Sequence, residues 1–81
     1  MNKVSITIIT KNEEKNIERC LNSIGWADEI VVIDTFSTDR TVEICREFTD
    51  NVFQEDWLGY GLQKNLCASK ATNKWILNVD A

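Results

Sequence analysis

The acids and hydroxyls of this chain gather where its apolar runs stop. Asp80 ends the run Lys74-Trp75-Ile76-Leu77-Asn78-Val79, and Asp34 ends Glu29-Ile30-Val31-Val32-Ile33. Thr10-Lys11-Asn12-Glu13 follows a first run, and Glu55-Asp56 follows a short third one. If the runs are parallel strands, all four ends lie on one edge, where open α/β sheets bind ligands at a switch in strand order. A carboxylate at the end of a buried strand needs a partner, because burying an unpaired charge is expensive. Asp80 has the chemistry of the first half of an Asp-x-Asp pair. Such a pair holds a divalent cation against a diphosphate, since hard cations take oxygen ligands and share them with phosphate. The sequence stops one residue later, so the chain reads as a fragment.

Blander readings stand beside these. Capping alone would account for Asn12, Ser37 and Thr38, whose side chains satisfy free N–H groups at helix starts. Lys64 sits near the start of a third helix, where a cation opposes the helix dipole. It is either a solvated surface lysine or a partner for phosphate. No Gly-x-Gly-x-x-Gly follows the first run and no Gly-x-x-x-x-Gly-Lys-Ser/Thr occurs, so neither standard dinucleotide nor P-loop chemistry is indicated.

The elements that must position these residues alternate. Lys3 to Ile9 is β-branched and strand-like, and Glu29 to Asp34 is a continuous apolar run of the kind buried on both faces. Val52-Phe53-Gln54 is a short third strand and Trp75 to Val79 a fourth. Between them, Ile17, Leu21 and Ile24 form one helical face, capped by Asn12 and ended near Gly25. Val42, Cys45 and Phe48 form a second, with Ser37 or Thr38 as its cap. Leu62, Leu66 and Ser69, with Ala68 and Ala71, form a third. The order β-α-β-α-β-α-β predicts a Rossmann-like, doubly wound, mostly parallel α/β sheet with right-handed crossovers.

The 81 residues form a single, partial domain over 1–81, small enough for its stability to be marginal. A net charge of −4 argues against a nucleic-acid scaffold, which would show a basic stripe. No run of about 18 apolar residues predicts a membrane span. No signal-peptide stretch precedes the first strand, so a cytoplasmic chain is expected. Cys20, Cys45 and Cys67 lack metal-ligand spacing, there is no histidine, and reduced buried thiols are the expectation.

In combination these stretches resemble glycosyltransferase family 2. The match runs through Ser5 to Glu14, Cys20 to Ile24, Glu29 to Thr41 and Trp75 to Ala81. Ile9-Thr10-Lys11-Asn12-Glu13, Trp26-Ala27-Asp28-Glu29 and Gly61-Leu62-Gln63-Lys64-Asn65 are most similar to bacterial lipopolysaccharide-core β-1,4-glucosyltransferases. The resemblance implies the N-terminal nucleotide-binding half of a GT-A fold. It implies a nucleotide pocket of Thr10, Lys11, Asn12, Glu13, Asp34, Thr35, Ser37 and Lys64. Asp80 would be the first acid of the metal motif, with Mg²⁺ or Mn²⁺ as cofactor in the complete enzyme. Many relatives carry an aromatic where Lys11 stands and a second acid where Thr35 stands; both residues are common in the core-glucosyltransferase branch.

The implied reaction is an inverting transfer of a sugar, glucose from UDP-glucose, to a lipopolysaccharide core or other glycan or glycolipid acceptor. The implied location is the cytoplasm, peripheral at the inner face of the membrane. The general base of the family pattern has no counterpart here, so no catalytic residue is expected in these residues and the chain alone should be inactive. Self-association through an exposed sheet face or edge is a further expectation. The competing reading is a small non-catalytic α/β binding or interaction module. A receiver-like version is disfavoured because the third strand ends at Gln54, with acids only beyond it.

Overall fold

The computed structural model describes residues 3–80, the side chains of Tyr60 and Asp80 excepted. The elements are β1 (Val4–Thr10), α1 (Ile17–Ser23), β2 (Glu29–Asp34), α2 (Thr41–Phe48), β3 (Val52–Gln54), α3 (Tyr60–Lys70) and β4 (Trp75–Asp80). The strands form one sheet in the order β3-β2-β1-β4, every pairing parallel. Strand order reverses between β1 and β4, so the switch point lies beside β1. This is the alternating α/β architecture that the sequence predicts.

Side-chain alternation divides the sheet into two faces. Ile6, Ile8 and Val32 point to the face covered by α1 and α2, where they pack with Ile17, Leu21, Ile24 and Cys45. The opposite face carries Ser5 and Thr7 of β1 and, in register, Val31 and Ile33 of β2. Helix α3 covers it, as a right-handed crossover from β3 back to β4 requires.

The orientation of α3 differs from the sequence expectation. Leu62 is 60% exposed and Leu66 half-buried, whereas Gln63 and Cys67 are fully buried. The reason is the surface beneath. Thr7 hydrogen-bonds the Cys67 thiol, and the Asn78 amide donates to Thr7 Oγ1 at 2.9 Å. A polar strip on β1 thus selects the helix face able to meet it. Gln63 Oε1 accepts from the Leu58 N–H at 3.0 Å, which holds the turn into α3.

Two of the three thiols belong to these cores. Burial, helped by the charge of Asp34, pushes Cys45 up to about 12. Burial pushes Cys67 up to about 11 against the opposing Thr7 hydrogen bond. A raised folded-state pKa favours folding below the ordinary value of 9.0 and loses that contribution as pH rises through 11 and 12. Stability is therefore expected to fall steeply above about pH 9. At pH 8 an aromatic disulfide reagent should label Cys20 slowly in the native chain and reach Cys45 and Cys67 only in denaturant; three rapid native thiols would contradict this packing.

The β4 edge is less covered. Trp75, Ile76 and Leu77 are 52%, 38% and 51% exposed. Glu29 anchors the entry to this strand, accepting from the Ser5 hydroxyl and from the Thr72 amide and hydroxyl. Desolvation pushes its carboxyl up, but these bonds outweigh that and hold it below its ordinary range. Among the described residues, no helix is long and apolar enough to cross a membrane.

Candidate functional site

Register brings the strand ends level. Thr10 pairs with Asp34, Asp34 with Gln54, and Ile9 with Asp80, so four strands present their carboxyl ends on one line. The loops after β1 and β2 then bond directly to one another. Their centre is Asp34, fully buried. Its Oδ1 accepts from the Thr10 hydroxyl at 2.7 Å and from the Ser37 hydroxyl, and its Oδ2 accepts from the Ser37 N–H at 2.8 Å. Three donors compensate a charge that would otherwise be prohibitive at this depth.

Around that anchor, Thr35 donates its N–H and its hydroxyl to the Thr10 carbonyl, both at 2.9 Å. Lys11 Nζ crosses the loops and donates to the Thr35 and Phe36 carbonyls at 3.0 and 2.9 Å. The Asn12 N–H donates to Ser37 Oγ at 2.8 Å, and Asn12 Oδ1 accepts from the Thr38 N–H at 2.7 Å. The Glu13 N–H donates to Thr41 Oγ1 at 2.8 Å, leaving the Glu13 carboxylate half-buried at the loop surface.

Asn12 is not the cap of α1, contrary to the sequence expectation. Helix α1 begins later, with Asn16 at its cap position and no side-chain cap bond. Asn12 instead adopts φ 50°, a left-handed conformation that asparagine tolerates. Its side chain is spent on the neighbouring loop. The start of α2 likewise moves past Ser37 and Thr38: Asp39 Oδ1 accepts the Thr41 N–H at 2.9 Å. Desolvation pushes Asp39 up, but the Thr41 hydroxyl and the Thr41 and Glu14 amides outweigh it and hold the carboxyl below its ordinary range.

The structure therefore joins Thr10, Lys11, Asn12, Glu13, Asp34, Thr35 and Ser37 into one bonded shelf. Thr10, Asp34 and Thr35 are its buried base, while Lys11 and Asn12 are exposed and Ser37 is half-exposed. Lys64 is separate: it is exposed on the second turn of α3 and makes no ion pair among the described residues. The backbone of Asp80 is level with Ile9, but its side chain lies outside the described residues. No cluster of three or more metal-ligating side chains occurs among the described residues. A cleft of about 800 Å³ opens at the opposite edge, lined by Asp28, Glu29, Glu47 and Asp50. It lies at the wrong end of a parallel sheet for chemistry, and Asp28 and Glu29 are already bonded to Val4, Ser5 and Thr72 there.

Two supporting residues escaped sequence reasoning. Thr41 is fully buried and receives the Glu13 amide; a threonine at a helix start was the available signal. Phe36 is 50% exposed at φ 57°, a conformation that costs a bulky residue on the order of 1–3 kcal/mol. Nothing in its local sequence announces that geometry.

The family model for glycosyl transferase family 2 matches residues 5–81. The chain belongs to glycosyltransferase family 2. The family 2 match spans all the strands that build the shelf. An uncharacterized glycosyltransferase of Rickettsia typhi is 46% identical over 82 aligned positions, covering 100% of this chain and 28% of that protein. The lipopolysaccharide core biosynthesis glycosyltransferase LpsC of Rhizobium meliloti is 32% identical, covering 96% of this chain and 31% of that protein. The prophage-derived glycosyltransferase SunS of Bacillus subtilis is 38% identical, covering 96% of this chain and 19% of that protein. The chain thus spans less than a third of the length of these curated family 2 relatives.

Proposed function

We propose that this chain is the donor-nucleotide half of an inverting glycosyltransferase, and that the shelf built on Asp34 is where a UDP-sugar sits. The observation that carries the reading is the bonding of the two loops across the carboxyl edge, beside the switch point of a family 2 domain. In this reading Thr10, Asp34 and Thr35 hold the shelf rigid. Lys11, Asn12, Glu13 and Ser37 present their remaining polar atoms to base and ribose. Lys64 meets the diphosphate as a point charge. Asp80 holds a divalent ion, Mg²⁺ or Mn²⁺. One carboxylate completed by substrate phosphates and water is an ordinary magnesium donor set, so this residue fits the role. When bound, the ion offsets the charge of the departing diphosphate.

The similarity to LpsC supports a lipopolysaccharide core or related glycolipid as the acceptor, and the sequence resemblance alone supports glucose as the sugar. Transfer itself belongs to the whole protein, which acts in the cytoplasm or at the inner membrane face. A second copy, meeting the exposed Trp75–Leu77 strip, is a further partner in this reading; a monomeric mass by light scattering would remove it.

The test is an amide NMR titration of the chain with UDP, with and without Mg²⁺. Shifts confined to Lys11–Glu13, Phe36–Ser37 and Lys64, tightened by Mg²⁺ in the native chain and not in Asp80→Asn, are expected. A folded spectrum indifferent to UDP would overturn the proposal in favour of a non-catalytic α/β module.

A further inference from the structure

We infer that Phe36 is the platform on which the nucleotide base stacks, an inference that rests on the donor-nucleotide reading above. Its ring stands half-exposed in the loop after β2, on the carboxyl edge of the sheet. Exposing a phenyl ring and holding its backbone at φ 57° are both unfavourable, and both occur at one residue. The surrounding bonds enforce this arrangement. Asp34 grips Ser37 on one side, and Lys11 Nζ holds the Phe36 carbonyl on the other. The backbone that carries the ring is thus fixed before any ligand arrives, which lowers the ordering cost of binding.

Position and chemistry agree. A planar base has an apolar face and polar edges. The shelf carries an exposed aromatic residue, Phe36, with Lys11, Asn12 and Ser37 as polar residues of the same bonded loops. Of the exposed tryptophans, Trp26 precedes β2 and Trp75 begins β4, so both lie at the opposite edge; Trp57 follows β3 on the carboxyl edge, but in the separate loop between β3 and α3. Lys11 keeps its ammonium on two carbonyls and is thereby a buttress for the loop that carries the ring.

The test uses the chain, UDP and inorganic pyrophosphate, with the variants Phe36→Gly and Phe36→Trp. Removing the ring should weaken UDP binding by on the order of 10-fold, the usual scale for losing one base–aromatic stack. Pyrophosphate binding should not change, since the anion does not use the ring. Phe36→Gly accepts φ 57° without strain, so its thermal midpoint should stay within a few degrees of the native one. Phe36→Trp should bind UDP at least as tightly as the native chain. In the native complex, nuclear Overhauser contacts should link the Phe36 ring to the uracil H5 and H6 protons. Equal UDP affinity in Phe36→Gly, or the absence of those contacts in a saturated complex, would overturn the platform and leave the donor-nucleotide reading standing. A native chain that binds no UDP would overturn both.

Discussion

Replacing Asp34 by alanine should cost about 3 kcal/mol of folding stability and lower the urea midpoint by at least about 1 M. The side chain is fully buried and accepts from the Thr10 hydroxyl and from the Ser37 amide and hydroxyl. Alanine removes the acceptor and leaves three donors facing a cavity, so the loss combines charged hydrogen bonds with unsatisfied groups. A domain of this size has about twice that amount in hand. The damage should reach the site first, because the same carboxylate ties the β2 loop to β1. Asp34→Asn should lose less, since its oxygen still accepts, but one position would then donate toward a donor. Urea melts of the three proteins decide the matter: an alanine midpoint within about 0.2 M of the native value would mean that the network does not organise the fold.

Leu21→Ala is expected to be comparably damaging, at about 3 to 4 kcal/mol, the range for a fully enclosed leucine. Leu21 is fully buried in the cluster with Ile6, Ile8, Ile17 and Val32, and it pins the crossover helix that sets β1 beside β2. The informative comparison is Leu62→Ala. A helical period read from the sequence puts Leu62 in the core, but the residue is 60% exposed. Its truncation should change stability by no more than about 0.5 kcal/mol. Losses of equal size at both positions would mean that α3 presents Leu62, and not Gln63, to the sheet.

That contrast marks where sequence reasoning ran out. Strand identity was legible because β-branched runs such as Ile30-Val31-Val32-Ile33 declare themselves within a few residues. Helix α1 was legible because Ile17, Leu21 and Ile24 repeat at helical spacing and do pack together. Helix α3 misled because its inward face meets Ser5 and Thr7, so a glutamine and a cysteine go inside and a leucine stays out. Periodicity assumes an apolar partner surface, and here the partner is partly polar.

Asn12 failed for a related reason. Its type suits a helix cap, and local sequence could not weigh that role against a partner on another loop. The bonded pairs of the site, Thr10 with Asp34, Lys11 with Thr35 and Asn12 with Ser37, lie 24 or 25 residues apart. A parallel β-α-β crossover imposes such separations by its length, and no window of a few residues can see across it.

By itself, then, the sequence determined the order of elements, the family, and which residues stand at the carboxyl ends of the strands. These depend on residue type and short-range spacing. Tertiary structure alone decided that Asp34 is a buried anchor with its acceptors committed, that Lys11 grips two carbonyls, and that Phe36 is held open in a strained turn. Each of these needs two loops at once, in register and within hydrogen-bond reach. That proximity arises only when the sheet has formed.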